Sequence, residues 1–366
     1  MADLGTRYLG HRLQTPVVVG ASPLTDDVRS AEALAEAGAG MLTLRSLVAG
    51  PLSLGVEVRR LPGSERHRRQ HAMFAGLLDV PRFATDVEEY CEHLAAIRRA
   101  VGASVPVVAS VYARSPQSWE ATCRRVAAAG PAGIELNVYG MYANGHAVPR
   151  DPEEVIVAIV RAVRQHVRVP VAVKLLPVGR TLIRFVQRLR DVGADAVVLF
   201  NAFHRSDWFR GLEHDARLPG GPADPVVRYF WISRVSAVEG IDVAYSGGVR
   251  SVDQVAKATL CGAAAVQVVS LLMHEGPAAV RRLNEDLAAW VASRGQRKLR
   301  ALQGEVSMRR YRLLDAFELA YTREILLGAL PAMHSRERRE ARSGAHGRGR
   351  TGIAASGAEA RGPTAG

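Results

Sequence analysis

The chain contains very little lysine, few cysteines and no long apolar run. Of its 48 basic side chains only Lys174, Lys257 and Lys298 are lysine, so the other 45 are arginine. No apolar stretch approaches the ~18 residues that a bilayer-spanning helix requires. The first residues also lack the basic flank and apolar segment of a signal peptide. We therefore expect a cytoplasmic protein without a membrane anchor.

The few cysteines exclude several kinds of site. Cys91, Cys123 and Cys261 are odd in number, widely spaced and form no CxxC pair. This spacing argues against a disulfide framework, a zinc site and an iron–sulfur ligand set. We expect three thiols in the protein core and no bound metal.

The net charge of +12 raises the question of a nucleic-acid partner. Residues 335–366 carry seven arginines against three glutamates, and this tail has almost nothing apolar to bury. We expect it to be disordered. A second basic cluster lies between Arg59 and Arg69. Neither cluster alternates with aromatic residues as a single-strand stacking platform requires, so both are interpreted as solvated charge and no nucleic-acid partner is expected.

Short β-branched runs alternate with segments of helical periodicity along the body of the chain, a pattern typical of βα units around a parallel sheet. Eight such runs predict an α/β fold, the (β/α)8 or TIM barrel. They are Pro16–Gly20, Gly40–Arg45, Val105–Ser110, Gly133–Asn137, Val169–Lys174, Asp195–Asn201, Ile241–Ser246 and Ala264–Val269.

The connections between the runs support the repeat. Four even-numbered runs follow a glycine of the kind that ends a helix in a left-handed conformation: Gly38, Gly130, Gly193 and Gly262. Their spacing reveals an insertion after strand 2, within residues 47–84, on the side of a barrel that carries the active site. We predict a barrel domain with a short helical extension over residues 1–334, followed by the tail over 335–366.

Polar residues recur at the ends of the predicted strands. Successive side chains in a strand face opposite ways, and the apolar face packs on the outer helices. This alternation predicts that Val198 faces outward. It also makes Arg45, Asn137, Lys174 and Asn201 the last inward-facing residues of their strands, converging on the mouth of the barrel where such enzymes place their chemistry.

The last two loops suggest what the mouth holds. Gly247 and Gly248 follow the seventh run and Ser270 follows the eighth, each just before a helix. Glycines let backbone N–H groups approach an anion, and these two loops form the usual phosphate site of a barrel. A compact cation at Lys174, beside the remainder of such a ligand, suits a flavin, whose reduced form carries negative charge.

At these residues the chain resembles the class 1 dihydroorotate dehydrogenases, FMN proteins on a (β/α)8 barrel, from about residue 3 to 295. The matching pieces are Pro16–Ser22, Glu135–Asn137, Val173–Pro177, Asn201, Ser246–Val249 and Gln267–Pro277. The resemblance implies a dehydrogenase of pyrimidine biosynthesis that converts dihydroorotate to orotate, or acts on a related CH–CH bond. It implies FMN contacts from Ala21, Ser22, Arg45, Asn137, Lys174 and Asn201, with Gly247, Gly248 and Ser270 at the phosphate.

The substrate half departs from the family. Gly140 stands where the family has its catalytic cysteine, and Leu44-Arg45-Ser46 replaces a Thr-Lys-Ser motif. The family's orotate-binding loop is not recognisable within residues 47–84. We expect Arg45 to take over the motif lysine's place in catalysis, and we put forward Tyr142 or His146 as the base in place of the cysteine.

Three interpretations stay open at this point. The chain is an active oxidoreductase, a flavin-binding barrel that has lost catalysis, or an enzyme similar to the tRNA-dihydrouridine synthases. The last is weakened because those enzymes also use a cysteine after the same strand. By resemblance we expect a small-molecule substrate and a homodimer.

Overall fold

Eight parallel strands close into a barrel in the computed structural model, which describes residues 2–49, 81–113, 115–138, 151–176, 182–201 and 225–310. Two short strands, β1 (Thr6–Tyr8) and β2 (His11–Leu13), precede the barrel strands in the chain. The barrel strands follow chain order around the barrel, and the last pairs with the first. They are β3 (Val17–Val19), β4 (Leu42–Val48), β5 (Val107–Tyr112), β6 (Gly133–Asn137), β7 (Val171–Leu175), β8 (Ala196–Leu199), β9 (Asp242–Ser246) and β10 (Ala265–Val268). Each overlaps one predicted run, so the predicted (β/α)8 barrel is confirmed.

Helices cover the outside of the barrel. Within the described residues they are α1 (Val28–Glu36), α2 (Val87–Val101), α3 (Pro116–Ala128), α4 (Pro152–His166), α5 (Leu182–Asp191), α6 (Pro225–Val235), α7 (Val252–Leu260), α8 (Ser270–Glu275) and α9 (Ala278–Ser293). Short 3-10 turns span Pro23–Thr25, Arg82–Ala84 and Leu299–Ala301. No helix among the described residues is long and apolar enough to cross a membrane.

Helix α2 shows why these segments fold as they do. It begins at an Asp86 cap, whose carboxylate accepts a hydrogen bond from the Glu89 backbone N–H. Side chains at three- and four-residue spacing, including Leu94 and Ile97, are buried against the strands. The helix ends at Gly102, whose φ of +72° favours glycine. The four glycines predicted to be left-handed, Gly38, Gly130, Gly193 and Gly262, all have positive φ.

The interior of the barrel is apolar at one end. Inward-facing alanines and valines of the strands form a cluster with Leu9 and neighbouring residues of an N-terminal hairpin, β1 (Thr6–Tyr8) and β2 (His11–Leu13). The Leu9 backbone N–H donates to Asp242 Oδ2 at 2.8 Å, and Thr6 Oγ1 donates to the Ala264 carbonyl at 2.9 Å. Both anchors lie at the start of their barrel strands. The hairpin, which the sequence did not predict, therefore closes the N-terminal end and leaves the carboxyl end as the mouth.

The prediction of which β8 side chains face the barrel interior is wrong. Val198 belongs to the inner cluster, whereas Val197 and Leu199 belong to the outer one. All four residues of β8 are apolar, so the strand itself carries no alternation that fixes which face is inside. The predicted inward face rests on Asn201, which lies two residues beyond the end of the strand.

A bulge interrupts strand β4. Thr43 pairs with Val108 and Ser46 with Ser110, so three steps along β4 correspond to two along β5. The phenol of Tyr90 supports this irregularity from outside. Its hydroxyl lies 3.1 Å from the carbonyl oxygens of both Arg45 and Ser110, and it accepts the Ser110 N–H at 3.0 Å. Burial raises the pKa of Tyr90, so the hydroxyl keeps its proton.

Parts of the predicted domain organisation lie outside the described residues. The insertion after strand 2 falls mostly on residues 50–80, and the predicted boundary at residue 334 falls within residues 311–366. All described residues belong to one compact unit that ends at Arg310.

Replacing Tyr90 by phenylalanine should destabilise the fold by about 1–3 kcal/mol, because the Ser110 N–H loses its acceptor in a buried place. Urea unfolding measures the change. Tyr112→Phe is the matched control: Tyr112 is only half-buried beside Trp119, and its loss should stay within about 0.5 kcal/mol. Equal losses in the two variants would contradict the role given to the Tyr90 hydroxyl.

Candidate functional site at the barrel mouth

Lys174 is the centre of a buried polar cluster inside the barrel. Its ammonium donates to Gln267 Oε1 at 2.9 Å and lies 3.3 Å from Glu135 Oε1. Gln267 Nε2 in turn donates to Glu135 Oε2 at 2.6 Å. Lys174, Glu135 and Gln267 are 6%, 1% and 3% exposed. The sequence had singled out Lys174, but not the two residues that hold it.

Strand geometry brings the three together. Glu135 and Lys174 point into the barrel from neighbouring strands β6 and β7, as the alternation predicts, and Gln267 comes from β10 on the far side. Small inward residues, such as Ala172 and Ala244, leave room for these long side chains. A buried charge requires a partner. The carboxylate supplies it, and the amide bridges both charges.

The ammonium retains capacity for a ligand. An ammonium has three N–H donors. Among the described residues its recorded partners are Gln267 and Glu135. At least one donor therefore remains for a group that enters the mouth.

A second set of polar side chains runs across the mouth. Asn201 Nδ2 donates to Asn137 Oδ1 at 2.9 Å, and Asn137 Nδ2 donates to Ser46 Oγ at 3.2 Å. Ser46 Oγ and Ser110 Oγ are 2.7 Å apart. The structure thus brings the predicted Asn137 and Asn201 together, half-buried, on a base of two hydroxyls that the sequence had not singled out. The chain of hydrogen bonds fixes the orientation of both amides.

Arg45 does not join Asn137 and Lys174, so its predicted inward-facing place is wrong. Its guanidinium binds Asp26 through two contacts, Nε to Oδ1 and Nη2 to Oδ2, each 2.8 Å long. Burial raises the pKa of Asp26, and the guanidinium works against that rise. The bulge in β4 is the cause, because the extra residue puts Ser46 where the regular alternation would put Arg45.

The loop after β9 has the geometry of an anion cradle. Gly247 and Gly248 have φ of +114° and +72°. A Cβ on Gly247 would lie 2.9 Å from the guanidinium of Arg228, whereas a Cβ on Gly248 would meet nothing within 4 Å. Arg228 is buried, and its Nε donates to the Ser246 carbonyl at 3.0 Å. Ser270, the other predicted phosphate contact, begins α8 at the same rim.

The end of strand β3 borders the same rim. Ser22 Oγ donates to the Gly20 carbonyl at 2.9 Å, and Ala21 is half-buried between them. A Cβ on Gly20 would lie 2.8 Å from Val269 Cγ2, so this strand end approaches the end of β10 closely. The two predicted contacts Ala21 and Ser22 are thus next to the loop that leads to Ser270.

Both candidate bases, Tyr142 and His146, lie outside the described residues. The three cysteines are all free thiols on the helical layer rather than at the mouth. Burial raises the pKa of Cys123 to about 12 and of Cys261 to about 11. These two thiols stay protonated near neutral pH.

The sequence contained a signal for some of the site residues that were not predicted: a lone polar residue inside an apolar strand. Glu135, Ser110 and Gln267 each stand alone among apolar neighbours of their strands. Arg228 gave no such signal, because it lies on an outer helix, where a single arginine among apolar residues is ordinarily a solvent-facing side chain.

Comparison with known proteins gives the same family throughout. The sequence profile described as "Dihydroorotate dehydrogenase" matches residues 84–291. The catalytic subunit of dihydroorotate dehydrogenase B (NAD(+)) of Methanothermobacter thermautotrophicus is 25% identical over 307 residues, which are 80% of this chain and 94% of that protein. The putative dihydroorotate dehydrogenase A (fumarate) of Aeropyrum pernix is 25% identical over 309 residues, 82% of this chain and 97% of that protein. The catalytic subunit of dihydroorotate dehydrogenase B of Methanosarcina acetivorans is 31% identical over 180 residues, 46% of this chain and 56% of that protein.

Removing one member of the buried pair should cost much more than removing both. Lys174→Met leaves Glu135 as an uncompensated buried carboxylate, and we expect a loss of about 3–5 kcal/mol in the free energy of unfolding. The double variant Lys174→Met, Glu135→Gln should recover most of this loss. Urea unfolding of the ligand-free protein measures the cycle. Additive losses would show that the two charges do not interact.

Proposed function

The chain belongs to the dihydroorotate dehydrogenase family, and we propose that it binds FMN across the barrel mouth and uses it to oxidise dihydroorotate or a related ring compound. The family profile spans more than half of the chain. The chain is thus an oxidoreductase of dihydroorotate dehydrogenase type, acting on CH–CH groups. The resemblance drawn from the sequence is confirmed at this level.

The single observation that carries the FMN proposal is the buried ammonium of Lys174 at the carboxyl end of the strands. It is fixed by two partners and retains a donor that faces no other described residue. A cation preorganised in this way stabilises an anion that develops beside it. Reduction of a flavin places negative charge on the pyrimidine end of its ring system, so the residues present fit this cofactor.

The glycine loop fits the phosphate end of the same cofactor. Gly248 turns its backbone toward open space, and a side chain there would occupy that space. The N–H groups of Gly247 and Gly248, with Ser270, would hold the phosphate, and the buried guanidinium of Arg228 keeps their loop in place. Ala21 and Ser22 would border the ring at the rim.

The remaining residues act on the substrate. Bound FMN supplies the acceptor for a hydride from carbon. Asn137 and Asn201, oriented by Ser46, present amide groups that would bind the ring edge or the substrate. Arg45, held at the rim by Asp26, would contribute a fixed cation toward an acidic substrate rather than move a proton.

The proton that leaves carbon during this oxidation requires a base. Gly140 stands at the position of the family's cysteine and has no side chain to act. We keep Tyr142 or His146 as the proposed base, because both follow β6 on the same stretch of sequence as Asn137. A tyrosine in this role would need its pKa lowered toward neutrality.

The other interpretations differ in what they predict. A flavin-binding barrel without catalysis would hold FMN but give no turnover with dihydropyrimidines. A tRNA-dihydrouridine synthase would bind tRNA in a salt-dependent way. The relatives named above favour an active dehydrogenase over both of these interpretations. A homodimer, a cytoplasmic location and the absence of a nucleic-acid partner remain part of the proposal.

Anaerobic titration with dihydroorotate tests the proposed function. The purified protein should be yellow, release FMN on denaturation, and lose its flavin absorbance when the substrate is added. Tyr142→Phe and His146→Ala identify the base, since one of them should slow the loss of absorbance by about 10²–10⁴-fold. Bound FMN that dihydroorotate does not reduce would contradict the proposed substrate. A colourless protein that takes up no FMN would contradict the cofactor as well.

Gly248→Val tests the phosphate cradle. We expect FMN affinity to fall about tenfold or more while riboflavin affinity stays the same, because riboflavin lacks the phosphate. Gly102→Val is the matched control: Gly102 has the same φ of +72° and the same open surroundings, but it ends α2 away from the mouth. Fluorescence titration of the ligand-free protein with each flavin gives both constants. If the variant at Gly248 lost both flavins equally, the phosphate would have to bind elsewhere.

A further inference from the structure

Glu135 lies below the barrel mouth, in a place where it acts on Lys174 rather than on a ligand. Lys174 is level with Asn137 in the pairing of β6 and β7, whereas Glu135 is level with Ala172. Two residues along a strand place Glu135 roughly 6.6 Å deeper than Asn137. It is 1% exposed, and Lys174, whose ammonium it contacts, belongs to the strand position two residues nearer the mouth.

The carboxylate is committed to the ammonium. Glu135 Oε2 accepts the Gln267 amide, and Glu135 Oε1 has no hydrogen bond among the described residues but faces Lys174 Nζ at 3.3 Å. In the part of the chain that the structure describes, Lys174 is also the recorded ion-pair partner of Glu135. The charge of Glu135 is therefore balanced by Lys174 rather than by a separate cation.

Among the described residues, a group recorded next to Glu135 at the floor of the barrel is a phenol. Tyr8 lies beneath the cluster, and its hydroxyl has no hydrogen-bond partner among the described residues. Burial raises the pKa of Tyr8, and the carboxylates of Glu135 and Asp242 raise it further. The phenol is therefore neutral, and the carboxylate acts on Lys174 through a surrounding of low polarity in which charges interact strongly.

We propose that Glu135, with Gln267 as the bridge, is a positioning residue that holds the Lys174 ammonium at the mouth and offsets part of its charge. This inference rests on the proposed binding of FMN beside Lys174. The offset decides how much the ammonium favours reduced over oxidised FMN. An unpaired cation in this buried place would stabilise the reduced, anionic form strongly, whereas a paired one does so in moderation.

Glu135→Gln tests the offset directly, because it removes the charge and keeps the size and an acceptor for hydrogen bonds. We expect the variant to bind reduced FMN, relative to oxidised FMN, about tenfold more tightly than the wild type does. For a two-electron couple this is a rise of about 30 mV in the midpoint potential. The potential is measured by equilibration with reference dyes, at the same pH for every variant.

Asp242→Asn is the matched control. It removes a partly buried carboxylate from the same barrel, but from the N-terminal end, where Asp242 accepts the Leu9 N–H. The midpoint potential of Asp242→Asn should differ from that of the wild type by no more than about a third of the shift seen for Glu135→Gln. An equal rise in both variants would show that overall charge, and not the contact with Lys174, sets the potential, and would overturn the inference.

Glu135→Asp covers the case in which Glu135→Gln does not fold. Glu135→Asp keeps the charge, but its shorter side chain places the charge farther from Lys174. The midpoint potential should therefore rise by a smaller amount, which corresponds to about a threefold change in the affinity for reduced relative to oxidised FMN. An unchanged or lowered potential in the variant measured would overturn the inference. A wild-type protein that takes up no FMN would instead contradict the proposed function, so the two failures are distinct.

Discussion

The pairing of one buried ammonium with one buried carboxylate is the constraint on which the mouth of this barrel depends. Lys174 and Glu135 are each almost inaccessible to water, and neither is tolerable in that place without the other. Gln267 completes the arrangement by donating to the carboxylate and accepting from the ammonium. Apolar residues of similar volume in place of a buried ion pair are often equally or more stabilising. The two charges are therefore better explained by an action on a ligand than by stability.

The rest of the structure supports this arrangement in layers. The N-terminal hairpin closes one end with an apolar cluster, and among the described residues the ion pair and the two asparagines lie toward the other end. Above the ion pair, Asn137 and Asn201 are oriented by the hydroxyl of Ser46. At the rim, the Gly247–Gly248 turn lies against Arg228. Each layer uses residues near the ends of different strands, which is how a barrel assembles a site from distant parts of its chain.

The sequence predicted the fold well because the repeat leaves a strong signal. Each β-branched run is bounded by proline or glycine, and all eight runs became barrel strands. The inward-facing side chains of a strand were predictable only where a polar residue marked that face, as Glu135 and Lys174 do in β6 and β7. The prediction failed in β8, whose four residues are all apolar, and in β4, where a bulge shifts the alternation. Contacts across the barrel, such as Gln267 with Glu135, depend on closure and leave no periodic trace in the sequence.

By the resemblance drawn from the sequence, the proposed cofactor half of the site keeps the family's motifs, whereas the proposed substrate half departs from them. In that comparison Gly140 and Arg45 stand where the family has its cysteine and lysine. A crystal structure of the protein with FMN tests the central claim most directly. The account predicts the pyrimidine edge of the flavin within hydrogen-bond distance of Lys174 Nζ, with Glu135 still paired behind it and the phosphate at Gly247 and Gly248. A flavin bound elsewhere, or a Lys174 that keeps all its donors for Glu135 and Gln267, would contradict it.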